Sequence, residues 1–108
     1  MDTSGPTYNV YYMTPGAEAV FSFPTAEAAD LWNGNVLAIK DQICNINEKL
    51  EADGRRGRGT LQDYGPWIIH YQNFISAFGK AAVPGDIRWA INDVEKGLGI
   101  KETTWPAN

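Results

Sequence analysis

The chain has 108 residues, 44% of them hydrophobic and 20% charged, and a formal net charge of −4. This is the size of one domain with one core, and the composition is far from that of a disordered chain. The acidic balance argues against long-range attraction to nucleic acid or an anionic membrane, and the single cysteine, Cys44, excludes an intramolecular disulfide.

The first residues, Met1-Asp-Thr-Ser-Gly-Pro6, have neither a basic region nor an apolar run, so no cleaved secretory signal is expected. No stretch approaches the roughly 20 apolar residues of a membrane span. The expected compartment is a reducing cytoplasm, that of the encoding organism or of a host cell.

Residues 8–23 predict a β-hairpin. Tyr8-Asn-Val-Tyr-Tyr-Met13 and Ala19-Val-Phe-Ser-Phe23 are rich in aromatic and β-branched residues, and Pro15-Gly16 between them suits a type II turn. Alternation places Tyr8, Val10 and Tyr12 on one face, with Ala19, Phe21 and Phe23 on one face of the partner strand. Tyr11 and Met13 fall on the other face of the first strand. A lone hairpin is marginal in water, so it must pack on helices or pair with another chain.

Pro24 ends the second strand and Thr25 is a good N-cap, with Glu27 in the first helical turn. Ala29, Trp32, Val36, Ile39, Ile43, Ile46 and Leu50 then recur at alternating spacings of 3 and 4, a heptad seam. They predict one helix over 26–52, on the order of 40 Å long, so an elongated molecule is expected. Asn33-Gly34-Asn35 weakens the middle, but the seam keeps phase on both sides, which favours an unbroken helix over a break at Gly34. Trp32-Asn33-Gly34 has the W-x-G order of a family of acidic helical-hairpin secretion substrates. There the tripeptide lies in the turn between two long helices, whereas here it follows only one or two helical turns, with a β-hairpin before it.

Asp53-Gly-Arg-Arg-Gly-Arg-Gly59 interrupts the helical pattern. A phosphate-binding loop needs a preceding strand, and this stretch follows a helix. The favoured reading is a helix–helix turn in which Gly54 takes the left-handed cap. Arg55, Arg56 and Arg58 then lie at the cation-favouring C-terminus of the first helix. The three arginines stand as candidate partner contacts, whereas direct nucleic-acid binding is not expected of a −4 chain.

Thr60-Leu-Gln-Asp63 resembles a capping box, but Pro66 argues for a short turn at 61–64 and a main helix over 66–79. Its stripe is Leu61, Tyr64, Ile68, Tyr71, Ile75 and Phe78, widened by Trp67 and Phe74. Val83-Pro-Gly-Asp86 predicts a turn with Asp86 as cap, and Ile87, Ala90, Ile91, Val94 and Leu98 give a third helix over 87–97. Residues 100–108 form a tail with Trp105 as its anchor. The expected architecture is α+β and predominantly α, one domain over 1–108. It has an N-terminal β-hairpin, a long antiparallel helical hairpin and a third short helix.

Little in the chain points to catalysis. One histidine, His70, and one cysteine cannot assemble a zinc site of the usual Cys/His type, and no phosphate-loop, metalloprotease, serine-hydrolase or EF-hand motif is present. Cys44 reads as a small buried hydrophobe beside Ile43, and His70 as a surface or hydrogen-bonded side chain. Glu27, Asp41 and Glu48 share a solvated helix face that provides no pocket to split their pKa values. No catalytic residue, metal or cofactor is expected.

Trp89 falls opposite the Ile87/Ile91/Val94/Leu98 face, beside Asp93 and Lys96. Tryptophan among charges is a favoured anchor at protein interfaces. Packing under the hairpin or the tail is the alternative for this side chain. Leu31, Leu37 and Cys44 form a weaker apolar strip off the main seam, either covered by the hairpin or available for self-association. The functional expectation is a small non-enzymatic protein that docks on another protein, of the inhibitor or adaptor type found among accessory and phage-encoded proteins. Its candidate contacts are Trp89, Asp93, Tyr11, Met13, Arg55, Arg56 and Arg58. The alternative is a self-assembling structural protein, a homodimer or larger oligomer, using the heptad seam between copies.

Overall fold

A computed structural model describes residues 7–14 and 17–106. Strands β1 (Tyr8–Thr14) and β2 (Ala17–Phe23) pair antiparallel, with Tyr8 opposite Phe23, Tyr12 opposite Ala19 and Thr14 opposite Ala17. The expected Pro15-Gly16 turn lies outside the described residues. Alternation sends Tyr12 and Phe23 into the core and leaves Val10 and Phe21 packed against it. Tyr8 shares that face by register but is exposed, although its partner Phe23 is buried.

Helix α1 (Ala26–Ala52) is unbroken through Gly34, with the Thr25 hydroxyl accepting from the Ala28 amide at its start. Its seam residues Ala29, Trp32, Val36, Ile39 and Leu50 are buried, and Ile43 and Ile46 pack partly against the core. Gly54, at φ +72°, takes the left-handed conformation that ends the helix, and the Arg55 amide reaches back to the Leu50 carbonyl.

Helix α2 (Leu61–Phe78) starts at Leu61, not at Pro66 as the sequence suggests. Both arms of a capping box are made: Thr60 Oγ1 accepts from the Asp63 amide, and Asp63 Oδ2 accepts from the Thr60 amide at 2.7 Å. Pro66 is tolerated for two physical reasons. It is exposed on the outer side of the helix, where the orphaned carbonyl one turn back can be solvated. The residue before it is Gly65, which has no Cβ to meet the proline ring. Leu61 belongs to the first turn and is exposed, so the buried stripe begins at Tyr64 and runs through Trp67, Ile68, Tyr71 and Phe74.

Gly79 ends α2 and leads into a 3-10 turn (Lys80–Ala82) that periodicity does not reveal. Helix α3 (Gly85–Leu98) is capped by Pro84 in extended conformation, two residues earlier than the expected Asp86 cap. Asp86 instead lies in the first turn, where its carboxylate favours the positive helix end. Gly99, at φ +72°, closes α3.

The two long helices form a helical hairpin, α3 packs Ile87, Ile91 and Val94 into the same core, and the β-hairpin covers the end near Trp32. The long α1 gives principal extents of 58 × 27 × 25 Å and a radius of gyration of 15.6 Å, above the ~13 Å of a compact chain of about 100 residues. Among the described residues no helix is long and apolar enough to cross a membrane.

A Cβ at Gly34 would meet nothing within 4 Å, and the position lies inside a regular helix. Gly34→Ala is expected to stabilise the protein by about 0.5–1 kcal/mol, read as a rise in the urea midpoint at unchanged m-value.

Candidate functional site

Trp89 lies on the solvent side of α3 with 71% of its surface exposed, whereas Ile87, Ile91 and Val94 on the opposite face are buried. Of its two candidate coverings, the tail reaches α3 elsewhere and the hairpin packs on Trp32. Asp93 and Lys96 follow Trp89 at i+4 and i+7, so they lie on the same side of the helix and are also exposed.

A second exposed apolar surface lies on the outer side of the hairpin. Tyr11 (63% exposed) stands directly opposite Val20, and Met13 (71% exposed) lies two residues along β1. The inner side is fixed by Tyr12, whose hydroxyl donates to Asp86 Oδ2 of α3 at 2.9 Å. Lys40 Nζ of α1 lies 3.5 Å from the same carboxylate oxygen and 5.1 Å from the Tyr12 ring centroid. Burial, with the neighbouring Asp86 carboxylate, pushes the Tyr12 hydroxyl above its ordinary pKa despite the opposing contact with Lys40. One polar contact therefore joins β1, α1 and the start of α3.

A polar cluster that the sequence does not announce holds α3 and the tail. Glu95 is 4% exposed, and both its oxygens accept. Oε2 receives the hydroxyls of Tyr71 (3.0 Å) and Thr103 (2.7 Å). Oε1 receives the Thr103 amide (2.7 Å) and Asn92 Nδ2 (3.1 Å). Trp105 Nε1 then donates to Asn92 Oδ1 at 2.7 Å, and the Arg88 guanidinium lies 5.3 Å from the Trp105 ring centroid. Burial and the bond to Glu95 raise the Tyr71 hydroxyl well above the ordinary tyrosine value, so it remains a donor. Four donors converging on one carboxylate satisfy a group that would otherwise be costly to bury.

The three arginines of the 53–59 stretch divide by role. Arg55 Nη2 pairs with Asp63 Oδ2 at 2.7 Å, and Arg58 Nη2 donates to the Gly54 carbonyl at 2.9 Å, so both work within the turn. Arg56 is exposed. Gly57 is also left-handed at φ +74°, and a Cβ at Gly59 would run into the Tyr64 ring and Leu50. Two of the seven residues thus supply left-handed backbone and a third supplies close approach.

Leu31, Leu37 and Cys44 are all exposed, but they do not form one strip. Leu37 and Cys44, seven apart, share a side of α1, whereas Leu31 is about 120° round the helix from Leu37. Cys44 is exposed rather than buried because it stands roughly 120° from the centre of the buried seam. His70 Nδ1 lies 2.8 Å from Gln42 Oε1, and Gln42 is about 160° round α1 from Cys44. The histidine and the cysteine therefore do not meet. Among the described residues no group of three or more His, Cys, Asp or Glu side chains could hold a metal ion.

Two outcomes follow from these contacts. Glu95→Gln places an amide N–H among donors, and is expected to cost about 1–3 kcal/mol and to speed tryptic cleavage after Lys101 as the tail loosens. Asp63 is held down at a pKa of about 2, first by the Thr60 amide and then by Arg55 and the Thr60 hydroxyl. A depressed carboxylate stabilises the fold above its unfolded value, near 4, and loses that contribution as pH falls towards 2. The stability gap between wild type and Asp63→Asn, followed by urea unfolding, should therefore close between about pH 4 and pH 2.

Comparison of the chain with protein-family models, with curated proteins and with solved structures gives no match in any of the three.

Proposed function

We propose that the protein acts without catalysis by docking on another protein, as an inhibitor or adaptor, with Trp89 as its anchor. The observation that carries this reading is the placement of Trp89. It is 71% exposed on the back of a helix whose front is fully packed. Trp32 and Trp67 are buried and Trp105 is half-buried, each with its indole N–H bonded. An exposed tryptophan on a rigid helix offers a large apolar surface at little cost in conformational entropy, the character of an interface hot spot.

Asp93 and Lys96 would form a polar rim of mixed charge around that anchor, guiding orientation more than adding affinity. Tyr11 and Met13 on the hairpin supply further apolar contact, and the fixed Tyr12–Asp86 link keeps β1 and the start of α3 in one arrangement. The net charge of −4 favours a partner with a basic face. Binding would act by covering a site on the partner or by bridging it to a second protein, in the cytoplasm of the encoding organism or of a host.

The competing reading, assembly through the heptad seam, is disfavoured by one fact. Trp32, Val36, Ile39 and Leu50 are buried within a single chain, so α2 and the hairpin already occupy the surface that a second copy would need.

The test compares wild type and Trp89→Ala as baits in a lysate of the encoding organism, followed by titration of the captured protein. Wild type is expected to retain a partner whose affinity falls at least about 30-fold on substitution, the effect of losing ~2 kcal/mol at a hot spot. Thermal stability should be unchanged, because the side chain is exposed. Equal capture by both baits would refute Trp89 as the anchor.

A further inference from the structure

Among the described residues the β-hairpin forms a two-stranded sheet, so each strand has one edge without a strand neighbour. Among the described residues, no hydrogen bond leads from the backbone of residues 8–14 to any element but β2. The pairing with β2 runs through seven successive residue pairs without a bulge. Soluble proteins usually blunt such an edge with charge, proline, a bulge or a covering segment. β1, Tyr-Asn-Val-Tyr-Tyr-Met-Thr, contains no charged residue, proline or glycine. β2 differs: it carries Glu18 and is followed directly by Pro24.

We propose that β1 pairs antiparallel with β1 of a second copy about a two-fold axis at Tyr11, giving a four-stranded sheet in the order β2–β1–β1–β2. Tyr11 is the middle residue of the strand, so the register centred there uses the full length of β1. It sets Tyr11 opposite the second copy's Tyr11, Asn9 opposite Met13, and Val10 opposite Tyr12. Each pair points to the same side of the sheet, as the pleat requires. The outer side gains aromatic contact between the two Tyr11 rings and covers part of Met13, both largely exposed in one copy.

A second copy fits this edge better than an unrelated strand for reasons of symmetry and charge. An antiparallel strand paired with itself is self-complementary under a two-fold axis. A net charge of −4 per copy opposes self-association, yet an uncharged β1 sets no like charges opposite one another. The contact also relieves the marginal stability of a sheet with only two strands. Trp89 takes no part, so this pairing stands or falls separately from that docking anchor, although it shares Tyr11 and Met13 with the proposed docking surface.

Sedimentation velocity across a wide concentration range tests the pairing. Wild type should pass from the 11.9 kDa monomer to twice that mass as concentration rises. Tyr11→Lys and Tyr11→Glu should each stay monomeric, because like charges then face each other across the axis. An equimolar mixture of the two should recover the dimer through opposite charges at that same place. Val20→Lys, on the same side of the sheet but one strand away from the axis, should dimerise as wild type does. A monomeric wild type at every concentration would overturn the proposal. So would a dimer indifferent to Tyr11→Lys, or a mixture that fails to recover it. If a Tyr11 variant loses its far-UV spectrum, hydrogen exchange in wild type decides instead. Protection of residues 9–13 that rises with concentration supports β1 pairing, and unchanged protection refutes it.

Discussion

Complete burial of the Trp32 indole is the contact on which the remaining architecture depends. Its ring meets Phe21 and Phe23 at centroid distances of 4.7 and 5.5 Å and Tyr12 edge-on at 6.0 Å. Its N–H donates to the Ala82 carbonyl at 2.8 Å. One side chain of α1 therefore holds the β-hairpin by its faces and the α2–α3 connection by a hydrogen bond. A two-stranded sheet has no core of its own, so the hairpin persists because aromatic rings from both strands close over this indole. The 3-10 turn owes its position to the same group, since the Ala82 carbonyl is held where the indole N–H needs it.

The other end of α3 is organised by polar chemistry. Glu95 occupies a position that an apolar residue could fill, and its burial is sustained only because Tyr71, Asn92 and Thr103 all present donors. Such a network is directional, whereas apolar burial is not, so it fixes the path of residues 100–106 as well as their attachment. The packed front of α3 and the tail leave its back unencumbered, and that is why Trp89 is presented on a rigid support.

Much of this architecture is legible in the sequence where a local pattern determines it. The seam from Ala29 to Leu50 gives the extent of α1, because one face stays apolar for about six turns and Gly34 lies on the other face. Strand alternation assigns Tyr12 and Phe23 inward, and the glycines and cations after Asp53 mark the turn. The misses have equally specific causes. Pro66 argues less strongly against a helix where its neighbour has no Cβ and its side of the helix is exposed, as here. Leu31 resembles a companion of Leu37 until the six-residue spacing is converted to an angle. Glu95 gives little signal, since Asn92 is its one nearby donor and the others, Tyr71 and Thr103, lie 24 residues before it and 8 after it. Of the candidate site, the outward placement of Trp89 follows from helical arithmetic alone. Whether the tail or the hairpin covered it was a tertiary question.

The Tyr12–Asp86 hydrogen bond spans 74 residues of chain, and this separation has a consequence during synthesis. At about 5–20 residues per second, Tyr12 is made roughly 4–15 s before Asp86 exists. Trp32 follows Phe23 closely and is available to its aromatic face early, so hydrophobic contact precedes the polar lock. Throughout that interval β1 is an unshielded strand on a nascent chain, and neighbouring ribosomes on one message hold identical strands close together. Contact between the β1 strands of neighbouring nascent chains can therefore precede the link that fixes β1 to α3.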